Sequence, residues 1–184
     1  MATATRPEPG QVETRQAPEI TTEGRRIRGV IPYGVESRDL GGWREVIEPT
    51  AFRSTVFDDL VATVDHAGVP IGRHPTTLAL EDRSDGLHWS VDPPESRGDV
   101  REAVQRGDLR AGSWRMVVGR DEWRGDVRHV HEVAVLRDVS VVTRPSYGEA
   151  GRERVGMGRL RRRRRERCLF PLVAPHPILR ALVK

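Results

Sequence analysis

The stretch VHEVAVLRDVSVV (residues 130–142) decides how the rest of the chain is read. Valine recurs through it, neither Gly nor Pro interrupts it, and Arg144 and Pro145 mark its end. β-Branched side chains of this density favour a strand over a helix, so a long strand is predicted here, carrying Asp138. Immediately upstream, residues 109–118 (LRAGSWRMVV) read as a second strand bearing Ser113. A helix is predicted before it, from a cap at Ser96 to about Arg106. Val100, Ala103 and Val104 lie on one of its faces, and Gly107 is its stop.

Further towards the N-terminus the period returns to two. Residues 77–81 and 87–91 flank DRSDG and predict a hairpin, and residues 60–66 (LVATVDH) predict a strand that delivers His66 to its end. Strands are also predicted over 25–33 and 43–47, and a short helix after EPTAF with Thr50 as its N-cap. The sum is a mainly β domain with flanking helices, an α+β class, arranged as a barrel or a sandwich.

Length and composition bound the rest. A chain of 184 residues holds one domain with a real core. With 36% hydrophobic and 32% charged residues it is polar for a packed chain, which predicts unpacked ends. Residues 1–24, rich in Thr, Pro, Glu and Gln, read as a disordered leader, 25–150 as the folded domain, and 151–184 as a flexible Arg-rich tail. No apolar run approaches the roughly 20 residues that cross a bilayer, so no membrane association is expected. Cys168 is the single cysteine, which rules out an intramolecular disulfide and fits a reducing cytoplasm. No Walker-type loop or dinucleotide fingerprint occurs, so nucleotide chemistry is disfavoured. The run RLRRRRRER (159–167) carries more positive charge than the whole chain's net +4; it reads either as a segment that binds nucleic acid or an acidic protein surface by charge, or as a solvated arm, and it is the only segment through which nucleic-acid binding is considered.

Ser113, His66 and Asp138 are the residue types of a nucleophile, a base and an orienting carboxylate. A serine hydroxyl attacks well only when a base removes its proton, and imidazole titrates near neutrality. A carboxylate then holds the imidazole in one tautomer, and the three need closeness in space but no fixed chain order. Glu132 competes with Asp138 for the third role. His129 and His131, at alternate strand positions with Glu132 or Asp126 nearby, supply only two evident metal ligands, so no metal site is expected. The four tryptophans, Trp43, Trp89, Trp114 and Trp123, are expected to fill the core or line a cleft.

The text around these residues is specific. EVIEPTAF (45–52), VDHAGVPIGR (64–73), TLALEDRSDGLHWSVDPP (77–94), DVREAVQRGDLRAGSW (99–114), DEW (121–123) and LRDVSVVTRPSY (136–147) follow one another in a particular order. In that order the chain, from Ile27 to Tyr147, resembles the prohead proteases of tailed phages, capsid-maturation serine proteases related in fold to herpesvirus assemblin. The resemblance implies an assemblin-like antiparallel β-barrel and a serine endopeptidase with Ser113 as nucleophile, His66 as base and Asp138 as third member, chemistry that needs no cofactor. It implies cleavage of scaffold and major capsid protein, and of the chain itself, inside the assembling procapsid in the host cytoplasm, with self-association open. Two departures stand out: Asp65 where the family commonly has Asn, expected to face solvent, and Trp114–Arg115 where it tends to have Phe and Gly. The bulk after Ser113 is expected to narrow the turn that would supply oxyanion donors, and a backbone donor near Arg144 is a candidate by analogy. The alternative from another class is a noncatalytic scaffold or nucleic-acid-binding protein using the Arg-rich tail.

Overall fold

The computed structural model describes residues 6–8, 10–17 and 20–143. Its organising element is the strand expected over 130–142, which extends from Val127 to Val142 (β10) and forms a long antiparallel ladder with Ala111–Arg124 (β9). Gly125 turns the chain between them at φ 67°, a backbone region that glycine enters without a Cβ penalty. On its other side β10 takes two short strands end to end, both parallel to it: Arg44–Ile47 (β4) against its first part and Val61–Val64 (β5) against its last. Ala67–Arg73 (β6) pairs with β5, and Val12–Ala17 (β1) forms the opposite edge, antiparallel to β9. The second sheet is antiparallel, with Ile20–Glu23 (β2), Arg26–Pro32 (β3), Gly86–Val91 (β8) and Leu78–Arg83 (β7) in that spatial order.

A single apolar cluster draws on both sheets. Trp114, Met116, Leu136 and Val139 come from the larger, and Ile27, Ile31, Leu78 and Trp89 from the smaller. The helix Gly98–Arg106 (α1) adds Val100 and Val104 to it. Gly29 faces Trp89 across the β3/β8 ladder, and a Cβ built on Gly29 would lie 2.3 Å from the indole ring. Gly29→Ala is therefore expected to cost about 1–3 kcal/mol through overpacking, read as a lower midpoint in urea at unchanged slope.

Several expectations need correction. Among the described residues the strands form two sheets and no closed barrel is shown; the domain is mainly β, and it is not purely antiparallel, because β4 and β5 run parallel to β10. Alternation reports which face a side chain takes and is silent on strand direction. The leader expectation fails for residues 12–17 and 20–23, which are strands β1 and β2. Short polar edge strands lack an apolar run because only alternate residues meet the core. No helix follows EPTAF: Ala51, Arg53 and Thr55 close successive three-residue turns, and the Ala51 carbonyl accepts the Val133 N–H of β10 at 2.8 Å instead of continuing a helical ladder. Ser96 lies in a 3-10 turn, and α1 starts at Gly98 without a side-chain cap, whereas Gly107 does end it, at φ 80°. The Arg-rich tail, with Cys168, lies outside the described residues.

Candidate active site

Ser113 and Asp138 project from the same face of the β9/β10 ladder. Ser113 pairs with Ser140 and Asp138 pairs with Arg115, and positions two apart on a strand share a face. Trp114 points the other way into the core, so the bulk that follows the serine does not crowd it. Ser113 sits inside a strand and not in a turn.

His66 reaches that face from beyond the end of β5, where Asp65 and His66 both adopt left-handed backbone, φ 50° and 57°. For residues other than glycine such a turn costs of order 1–3 kcal/mol and needs support. β10 and Thr143, the residue that follows it, provide it through three bonds. The Asp65 N–H donates to the Val141 carbonyl at 2.9 Å, the His66 N–H to Ser140 Oγ at 2.9 Å, and the Thr143 N–H to Asp65 Oδ1 at 2.9 Å. Asp65 is thus exposed, as expected, but also ties the turn to the strand.

The result is a chain of three side chains. His66 Nε2 lies 2.6 Å from Ser113 Oγ, and His66 Nδ1 is hydrogen-bonded to Asp138 Oδ1. The second carboxylate oxygen, Oδ2, accepts from Arg115 Nε. Asp138 and Ser113 are each 1% exposed, and the His66 side chain is 16% exposed. With Nδ1–H donating to a carboxylate, neutral imidazole presents Nε2 as an acceptor towards the serine hydroxyl. That is the arrangement from which a serine proton can be withdrawn during attack.

Asp138 bonds His66 and Arg115, and neither Arg137 nor Arg128 bonds it. Glu132 is six residues earlier on β10, roughly 20 Å at strand rise, pairs with Arg120 of β9, and makes no bond to His66. His129 and His131 bond separate carboxylates, Glu48 at 2.8 Å and Glu122 at 3.3 Å, and Asp126 pairs with Arg44. Trp43, Trp89 and Trp114 are buried, and Trp123 packs edge-on against Trp43. Arg144 lies outside the described residues.

Sequence reasoning missed Ser140. Its buried hydroxyl donates to the Thr63 carbonyl at 3.0 Å and accepts both the Thr63 hydroxyl and the His66 N–H, holding the His66 turn from beneath. The only signal in sequence was a serine two residues after Asp138 on the same strand face. Ser140→Ala is expected to lower kcat about tenfold with little change in KM, since one hydrogen bond positioning the base is worth about 1 kcal/mol; steady-state kinetics on a peptide substrate checks it.

A second polar cluster adjoins the site. Arg128, 2% exposed, bonds Glu13 at 2.7 Å and Glu45 at 3.4 Å and pairs with Asp121, while Arg15 grips Glu45 through two bonds of 2.7 and 2.9 Å and also pairs with Glu13. Burial by itself would lower the pKa of both guanidiniums, but the adjacent carboxylates outweigh it and raise both. None of this network was anticipated, because its members come from four separate strands or strand ends.

Comparison with curated proteins and with solved structures returns no match to this chain. The family model for the caudovirus prohead serine protease, by contrast, matches residues 11–158, a span that begins just before β1 and takes in the His66, Ser113 and Asp138 positions. The chain therefore belongs to the caudovirus prohead serine protease family.

Proposed function

We propose that Ser113, His66 and Asp138 form the catalytic triad of a capsid-maturation endopeptidase. The observation that carries this reading is the continuous chain from Ser113 Oγ through both ring nitrogens of His66 to the buried Asp138 carboxylate. Ser113 Oγ attacks the scissile carbonyl while His66 Nε2 takes its proton. His66 then returns the proton to the leaving amine, and the acyl-enzyme forms. Water enters, gives a proton to Nε2, attacks the ester, and releases the second product with Ser113 restored. Throughout, Asp138 keeps the ring in place and stabilises the imidazolium, and Arg115 holds the far carboxylate oxygen so that the near one faces Nδ1.

The substrates in this reading are the phage major capsid protein and scaffold, together with the enzyme's own chain, cleaved inside the procapsid within the host cytoplasm. Family membership supports a role in the prohead. Among the described residues no helix is long and apolar enough to cross a membrane. The Arg-rich tail is assigned to holding the enzyme on acidic scaffold, or to being a self-cleavage region.

Co-expression of the chain with its phage's capsid protein and scaffold tests the reading by intact mass. Wild type is expected to yield shortened capsid protein, and Ser113→Ala full-length protein in particles that assemble equally well. Full-length masses in both would refute it and favour the noncatalytic scaffold role. Asp138→Asn separates the third member: kcat is expected to fall on the order of 10³ to 10⁴-fold, because an amide favours the wrong imidazole tautomer, whereas Glu132→Gln leaves kcat within about twofold.

A further inference from the structure

Ser113 is almost wholly enclosed, although a nucleophile must be reached by a carbonyl. What encloses it is an edge strand of the same chain. β1 runs antiparallel to β9 with Gln16 opposite Ser113 and Arg15 opposite Trp114, and the Arg15 carbonyl oxygen lies 2.7 Å from Ser113 Oγ. A hydroxyl has one proton to donate. Given to the Arg15 carbonyl it is withheld from His66 Nε2, so this contact and the triad bond compete.

The Arg15 side chain continues the pattern. It enters a buried site floored by Glu45, with Trp43 beneath its guanidinium at 5.3 Å. Without the two charges that β1 contributes, Glu13 and Arg15, the remaining members are Glu45, Asp121 and Arg128, one negative charge in excess, which a single cation would neutralise. Thr14, Arg15 and Gln16 also wall a cavity of about 770 Å³ whose lining includes His66, Glu45 and Trp114.

We propose that β1 occupies the substrate site, with Arg15 standing where the residue before the cleaved bond stands in a substrate, so that the enzyme selects arginine or lysine there. β1 binds as a peptide strand added to the open edge of β9, and a substrate strand replaces it by the same main-chain pairing. The inference rests on Ser113 being the nucleophile.

The test locks β1 in place. Val12 and Val117 are directly paired across β1 and β9, Val12 is 51% exposed, and neither belongs to the catalytic machinery. Val12→Cys with Val117→Cys, in a Cys168→Ser background, permits a cross-strand disulfide that dithiothreitol reverses. Labelling of Ser113 by a small fluorophosphonate is followed by intact mass in both redox states of this one protein. The oxidised form is expected to label at least tenfold more slowly than the reduced form. The reduced form is expected to cleave peptides with arginine or lysine before the scissile bond at least tenfold faster than leucine or glutamate analogues. Equal labelling in the two states, or no preference for a basic residue, overturns the proposal. Absence of labelling in both states overturns the protease reading itself.

Discussion

Ser113→Ala is expected to reduce kcat/KM for peptide hydrolysis by at least about 10⁴-fold while leaving the fold intact. The size follows from what the variant removes. Without Oγ no acyl-enzyme forms, His66 has no proton to withdraw, and Asp138 orients a base with nothing to activate; residues that act as one unit lose nearly everything with the loss of one. The residual rate over water reflects substrate positioning alone. Stability should change little, because the hydroxyl's partners are His66 Nε2 and the Arg15 carbonyl, and Arg15 remains tied by the β1/β9 ladder. Single-turnover hydrolysis of a quenched peptide, with thermal unfolding as control, measures both. A variant that retains more than a hundredth of wild-type activity would move the nucleophile elsewhere.

The largest effect on stability is expected at Arg128. Arg128→Met keeps most of the side-chain volume but removes the cation that bridges Glu13, Glu45 and Asp121. Glu13 and Glu45 are themselves buried, so the variant leaves two carboxylates sharing Arg15 alone. Stranding a buried charge costs about 3–5 kcal/mol, which for a domain of this size lowers Tm by roughly 10 °C. Adding Glu13→Gln removes one of the stranded charges, and the double variant should regain about 1 kcal/mol or more relative to Arg128→Met. Guanidinium melts of the four proteins in this cycle give the coupling. A cost for Arg128→Met below about 1 kcal/mol would mean that the network's attractions only offset the desolvation of its members.

The parts of the fold legible in sequence were those with a local cause. Valine density announced β10, the DRSDG turn announced the β7/β8 hairpin, and Gly107 ended α1 because a residue at φ 80° there favours glycine. The failures share another cause. β1 and β2 are edge strands whose stability comes from partners far along the chain, Ala111–Arg124 for one and Arg26–Pro32 for the other, so their own composition looked like a leader. The segment after EPTAF has helix-start residues, yet its Ala51 carbonyl is claimed by β10, a competitor that local propensity does not register.

For the candidate site, His66, Ser113 and Asp138 were nominated from sequence because chemistry limits which side chains can serve as nucleophile, base and orienter, and because the three sit in an ordered series of family-like blocks. Their convergence was not. It depends on register: Ser113 faces Ser140, Asp138 faces Arg115, and a shift of one residue in the β9/β10 ladder would turn one partner to the opposite face. Likewise, only the tertiary structure put Asp138 and not Glu132 against His66, set Ser140 beneath the His66 turn, and laid the Arg15 carbonyl against Ser113. What the sequence determined by itself was the set of available groups and the local tendency to form strands. Which groups meet was decided by long-range pairing, because closeness across a sheet is a property of two segments together and is written in neither one alone.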